Sequence, residues 1–270
     1  MDNTNKFKAN PYNLNNNLLK IEDIINIMKK LNINDFNTNN LNIYQKSFIH
    51  KSYCKLKDYE EYDYPGNEYL PLQEESYETI EFLGDSILGS VVSSYIYKRF
   101  HLIYGENEGF LTKLKIRLVC GENLYDVSKK MGFPKHIIIS KHIDDNCSGR
   151  DNKNILEDVL ESFIGALYMD KGYNFTEKFI INMIEEYCDF TEIILRDTNY
   201  KDQISRYFQK TYSVYPIYKT EKFENVFKSS LWLKEERGES MITFGTGDSK
   251  KRAEQDVSKK ALIHFNVITS

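Results

Sequence analysis

Glu78-Thr79-Ile80-Glu81-Phe82-Leu83-Gly84-Asp85-Ser86 opens an apolar run that continues through Ile87, Leu88, Val91, Val92, Tyr95 and Ile96 to Phe100. The pattern predicts a helix over roughly 77–100, buried on several sides in its second half. Glu78, Glu81 and Asp85 fall at i, i+3 and i+7, so one face of that helix carries three carboxylates. Like charges at this spacing repel, and acids grouped beside a core usually need a cation to neutralise them. On spacing alone, a polar helix face with no further task accounts for the pattern equally well.

A second acidic stretch tips that balance. In Ile155-Leu-Glu157-Asp158-Val-Leu-Glu161-Ser162-Phe-Ile-Gly165, Asp158 and Glu161 lie at i, i+3 on another apolar helix, with Glu157 read as falling off that face. Two such helices side by side would gather four carboxylates, a set of hard oxygens suited to Mg²⁺ or Mn²⁺. A site of this kind activates water and stabilises the leaving oxygen in phosphodiester cleavage. Gly84 and Gly165, each inside an apolar helix, are assigned to close helix packing and to no chemistry.

Outward from these two helices the chain reads as mostly helical up to residue 195. Amphipathic or apolar segments are predicted at about 18–31, 44–53, 107–118, 121–131, 153–170 and 175–195. Residues 1–16 read as a disordered polar tail. Residues 55–75, rich in Tyr, Asp and Glu with Pro65-Gly66 and Pro71, read as a solvated surface insertion. The character changes near 196–200. A helix at about 200–211 is followed by strand signals at 217–222, 227–235 and 240–245. Arg237-Gly238 turns between the last two, and a basic helix runs from about 249 to 265.

Four blocks together resemble the ribonuclease III family. Residues 78–86 are similar to its signature, and Phe48-Ile-His-Lys-Ser-Tyr53 to its His-basic-Ser-Tyr segment. Glu108-Gly-Phe-Leu-Thr-Lys-Leu-Lys-Ile-Arg-Leu-Val119 resembles its Glu-Gly helix, and Ile155–Gly172 its second acidic helix. The resemblance implies an all-α catalytic domain over 17–196, working as a homodimer. Glu81, Asp85, Asp158 and Glu161 would ligate Mg²⁺, with Mn²⁺ able to substitute. Glu78 and Glu108 match two further acidic positions of the catalytic valley. The implied reaction is cleavage of double-stranded RNA by a metal-activated water, leaving 5′ phosphates and short 3′ overhangs. Glu157 and Ser162 depart from the pattern, standing where small alanines are common. His50 is read as a hydrogen-bonded structural residue.

Residues 200–267 resemble the double-stranded-RNA-binding domain, a small α-β-β-β-α fold. Lys250, Lys251 and Arg252 open its last helix, where positive charge is unfavourable unless the helix end faces a polyanion. The resemblance places Lys250 and Lys251 on phosphates, and Ser205, Arg206 and Gln209 against a minor groove with its 2′-hydroxyls. Glu224-Asn-Val-Phe227 matches the family's minor-groove loop poorly, which implies weaker duplex binding.

Charge agrees with this division. Residues 200–270 carry 13 Lys and Arg against 9 Asp and Glu, whereas the first 199 residues carry a net −8. An acidic body fits divalent cations and a basic module fits phosphate. The four cysteines form no C-x-x-C pair, so zinc spacing is absent. No apolar run of about 18 residues and no leader are recognised, so an intracellular protein outside the membrane is expected. A non-catalytic double-stranded-RNA-binding or ribosome-associated member of the same fold is the competing class. It would normally have lost a ligand position, and all four are present.

Overall fold

The computed structural model describes residues 10–195, 199–235 and 238–268. It divides into two compact units, 1–193 and 194–270. The first is helical: α1 (Ile21–Lys30), α2 (Leu41–Lys46), α3 (Glu78–Ile96), α4 (Leu102–Tyr104), α5 (Glu108–Leu118), α6 (Gly121–Met131), α7 (Lys141–Asn146), α8 (Lys153–Tyr187) and α9 (Phe190–Leu195). The second contains α10 (Tyr200–Tyr212), β1 (Ile217–Phe223), β2 (Val226–Glu235), β3 (Gly238–Gly247) and α11 (Lys250–His264).

In the helical unit α3 and α8 pack along much of their lengths. Leu88, Val91 and Val92 of α3 and Leu156, Leu160 and Phe163 of α8 are no more than 1% exposed. Each large apolar side chain so buried stabilises the fold by about 1.5–3 kcal/mol. The crossing is closest where both helices carry glycine. A Cβ on Gly84 would lie 1.8 Å from the Glu161 carbonyl oxygen, and one on Gly165 would lie 2.3 Å from that of Ile80. Backbone meets backbone there, so the acidic residues one turn either side are drawn together.

Local sequence sets the ends of these helices. Asn152 caps α8, its Oδ1 accepting from Asn154 N and Ile155 N. Gly172, at φ +73°, kinks α8 near the break expected between 170 and 175. The helix expected over 44–53 is instead α2 followed by a 3₁₀ turn, Lys51–Tyr53, with the His50 imidazole accepting from Ser52 N. α3 does not simply stop near 100 but widens into a π turn, Tyr97–His101.

The expected disordered tail needs correction over 10–16; residues 1–9 lie outside the described residues. Tyr12, Asn13 and Asn16 are buried. The Asn16 amide donates to Ile139 O at 2.9 Å while its Oδ1 accepts from Ile139 N and from Arg150. The insertion 55–75 is tied down at its return limb. Lys55 N donates to Gln73 O, Gln73 N to Tyr53 O, and Leu70 and Leu72 pack on Ile49, Tyr53 and Ile138.

The second unit is a three-stranded antiparallel meander, β1-β2-β3, with α10 and α11 packed together and α11 lying on the sheet. Ile204, Phe208, Leu231, Val257 and Ala261 form its core. α11 closes tightly on β3 because a Cβ on Gly245 would lie 2.3 Å from Val257 N, and one on Gly247 2.6 Å from Ala253 N. β1 and β2 are joined by only Glu224 and Asn225, with Phe223 paired to Val226. Of the expected Arg237-Gly238 turn, Arg237 lies outside the described residues.

Candidate active site

Glu81, Asp158 and Glu161 each offer a carboxylate oxygen, and these oxygens all lie within 4.8 Å of one another. Glu81 comes from α3 and the other two from α8, one turn from the glycine crossing. Asp85, one turn further along α3, is exposed. It falls outside that tight triad, yet its charge is the largest electrostatic influence on Glu161 after burial.

Glu161 is the centre of the group. It is 7% exposed, and no donor among the described residues bonds its carboxylate. Burial first, then Asp85, Glu157, Glu81 and Asp158, push its carboxyl up to about 8. Burial followed by neighbouring carboxylates also raises Glu81. Burial raises Asp158 too, opposed by a hydrogen bond from Tyr77 Oη at 3.1 Å and by the nearby Lys51 ammonium. Tyr77 is itself shifted strongly upward, first by burial, so its phenol keeps the proton it donates.

The other two acidic candidates are placed differently. Glu78 is exposed and ion-paired to Lys51 at 2.9 Å, which holds its carboxyl below the usual range. Glu108 is exposed in the first turn of α5, accepting from Thr112 Oγ1 at 2.7 Å. Neither belongs to the converging triad. His50 is half-buried. Its Nδ1 faces Ser52 N and Ser52 Oγ, and burial lowers its pKa to about 4. It is neutral near pH 7 and organises the turn that delivers Lys51.

Three residues were missed in the sequence. Lys51 sits inside the quoted His-basic-Ser-Tyr block but was given no task. Tyr77 immediately precedes the signature. Glu157, read as off the acidic face, is one turn before Glu161 and close enough to Asp85 and Glu161 to perturb titration. The i, i+4 spacing of 157 and 161 was the available signal.

A divalent cation fits these residues. The donors are hard oxygens, they converge from two helices, and the most buried one lacks any internal partner to neutralise it. Among the described residues no other group of three or more such side chains gathers in this way.

In the second unit Lys250 and Lys251 are exposed at the start of α11, while Arg252 is drawn into an ion pair with Asp248. Ser249 caps the helix by accepting from Arg252 N. On α10, Arg206 is exposed and paired to Asp202 at 3.0 Å, and Gln209 is exposed. Ser205 is half-buried and donates its hydroxyl proton to Lys201 O. No described helix is long and apolar enough to cross a membrane.

A helical domain with paired acidic helices, followed by a small α-β-β-β-α domain, defines a class of metal-site nucleases. Residues 40–187 match the Ribonuclease-III-like family, and the chain belongs to it. It is similar to "Ribonuclease 3" of Borreliella burgdorferi, 31% identical over 200 residues, covering 70% of this chain and 78% of that protein. It is 30% identical over 222 residues to "Ribonuclease 3" of Leptospira interrogans serovar copenhageni, covering 80% and 81%. It is 33% identical over 239 residues to "Probable ribonuclease 3" of Acanthamoeba polyphaga mimivirus. That match covers 84% of this chain but only 38% of the viral protein's length.

Proposed function

We propose that this chain is an endoribonuclease that cuts double-stranded RNA with Mg²⁺, or Mn²⁺ in its place, leaving 5′ phosphates and short 3′ overhangs. The observation that carries the reading is the convergence of Glu81, Asp158 and Glu161, with Asp85 beside them, at the glycine crossing of α3 and α8.

A bound divalent cation would supply the field that activates water and stabilises the leaving oxygen. The protein's part is to hold the donors. Tyr77 Oη donates to Asp158 Oδ2 and so restrains that carboxylate. Lys51 draws Glu78 aside and adds positive charge at the rim. Burial and the neighbouring carboxylates favour the protonated form of Glu161 near pH 7, and a divalent cation held there would favour its ionised form.

Phe82, next to Glu81, is 77% exposed, and Ile116 of α5 is 60% exposed. Exposed apolar side chains of this size fit a face covered by a second copy, as a homodimer through the catalytic domain requires. Each copy would then cut one strand. In the second unit, Lys250 and Lys251 would meet phosphates while Ser205, Arg206 and Gln209 face a minor groove. The two-residue β1–β2 connection offers little reach into a neighbouring groove, which fits modest duplex affinity.

Asp85→Asn and Glu161→Gln are each expected to abolish cleavage while leaving duplex binding intact. Wild-type cleavage rates by either variant in Mg²⁺ would show the assignment to be wrong.

A further inference from the structure

The sheet of the second unit has one covered face and one open face. Strand alternation sends Ser229, Leu231 and Leu233 of β2 toward the helices, and all three are buried. The opposite face carries the rows Ile217↔Trp232↔Met241 and Lys219↔Ser230↔Phe244. Neither α10 nor α11 covers it, since Met241 is 53% exposed and Phe244 49%. Phe223 and Val226, paired at the β1–β2 end of the same face, are exposed as well. Scattered exposed apolar side chains need no explanation, but a set that crosses all three strands does.

Two rings on this face each have a cation of their own. Lys219 Nζ lies 4.0 Å from the centroid of the Trp232 ring, and Lys228 Nζ lies 4.6 Å from that of Phe244. The half-buried indole is oriented by its N–H, which donates to Ser230 Oγ at 2.9 Å. Trp232 and Phe244 are diagonal neighbours on adjacent strands. A protein partner would be met by the apolar side chains alone. The repeated pair of ring and lysine matches instead the two parts of a nucleotide, a base to stack and a phosphate to neutralise. Charge agrees. Lys219, Lys228 and Lys234 alternate onto this face against Glu221 and Glu239, and residues 200–270 carry 13 Lys and Arg against 9 Asp and Glu. Glu239 pairs with Lys219 at 2.6 Å, but an exposed pair of this kind is weak, and the flexible lysine stem can turn to a phosphate.

We propose that the open face of the sheet, centred on Trp232 and Phe244, binds single-stranded RNA, stacking bases on the rings and meeting phosphates with Lys219 and Lys228. The face lies on the side of the sheet away from α10 and α11, the helices that carry the duplex reading, and it does not depend on the cation site. A chain with both surfaces would hold an RNA in which a duplex adjoins an unpaired flank or loop more tightly than a blunt duplex.

Trp232 is the one tryptophan of the chain, so its fluorescence reports on this face. The test is a titration of the full-length protein in EDTA with a short labelled oligouridine, followed by tryptophan fluorescence and by anisotropy of the label. Saturable quenching that tracks the anisotropy and weakens with salt is expected. Phe244→Ala is expected to weaken binding about tenfold. The double variant Lys219→Ala, Lys228→Ala is expected to lower the slope of log K against log salt by about 0.7 per lysine. Melting temperature and binding of a blunt RNA duplex are expected to stay at wild-type values in both variants, because the side chains removed are exposed. Absence of saturable quenching, wild-type affinity in Phe244→Ala, or an unchanged salt slope in the lysine variant each overturns the proposal. Self-association abolished by Phe244→Ala, with no quenching by oligouridine, also overturns it and assigns the face to contact between copies. Asp85→Asn and Glu161→Gln are expected to bind oligouridine as the wild type does, so the cleavage reading and this one fail separately.

Discussion

Gly84→Ala probes the feature on which the site depends. The new Cβ would lie 1.8 Å from the Glu161 carbonyl oxygen and 2.6 Å from its carbonyl carbon, where ordinary contact begins at 3.4 Å. The opposing atoms are backbone inside a helix, so no side chain can swing away. α3 and α8 must separate locally by roughly 1.5 Å to restore normal contact. Overpacking of this kind costs about 1–3 kcal/mol, offset by about 1 kcal/mol from alanine's better helix propensity. The net loss of about 0–2 kcal/mol corresponds to a melting point lower by up to about 8 °C for a domain of this size. Activity is more sensitive. Glu81 and Asp85 ride on one helix and Asp158 and Glu161 on the other, and a misplacement of about 1 Å can cost about 100-fold in rate. The assay is a thermal melt together with single-turnover cleavage of a duplex RNA at saturating Mg²⁺. A variant that melts at or above the wild-type temperature and cleaves at the wild-type rate would refute the reasoning.

Two other outcomes follow from the geometry and charge. The double variant Lys250→Ala, Lys251→Ala is expected to weaken duplex binding and to reduce the slope of log K against log salt by about one per lysine; an unchanged slope removes both from the interface. The raised carboxyl of Glu161 sets a pH dependence in the metal-free protein. Its folded pKa of about 8 exceeds its ordinary 4.5, so the folded state holds the proton more tightly and stability falls as pH rises through that interval. Half-buried His50 and buried His136, lowered to about 4, oppose this only below the ordinary histidine value of 6.5. From about pH 7 to about pH 8.5, melts in EDTA are therefore expected to shift downward, and Mg²⁺ to stabilise most at the alkaline end. A metal-free protein that gains stability across that window would contradict the assignment of Glu161 as a buried, unneutralised acid.

The signature helix was legible because its information is local. Apolar periodicity, acids at i, i+3 and i+7, and a glycine in an apolar run need no partner to be read. The same holds for the starts of α8 and α11, expected at about 153 and 249 and found at Lys153 and Lys250. What was not legible depends on residues far away in sequence. Asn13 and Asn16 sit in an asparagine-rich stretch that reads as disorder, and their order comes from Ile139, Asp144 and Arg150, more than 120 positions distant. Lys51 gained its place at the site only when the 3₁₀ turn after His50 brought it to Glu78. Glu157, read as off the face that Asp158 and Glu161 share, was found to lie over Gly121 of α6, a contact between segments more than 30 residues apart. The tight β1–β2 connection was foreshadowed by the poor match at 224–227, but its two-residue length came only from the pairing of Phe223 with Val226.

The most direct test of the proposed activity is incubation of the purified full-length protein with a long, perfectly paired RNA duplex, in Mg²⁺ and in EDTA, with the product ends mapped. Short duplex fragments carrying 5′ phosphates and short 3′ overhangs, formed in Mg²⁺ and absent in EDTA, are the expected result. Tight duplex binding with no cleavage in either Mg²⁺ or Mn²⁺ would contradict it and identify a double-stranded-RNA-binding protein that keeps the fold without the reaction.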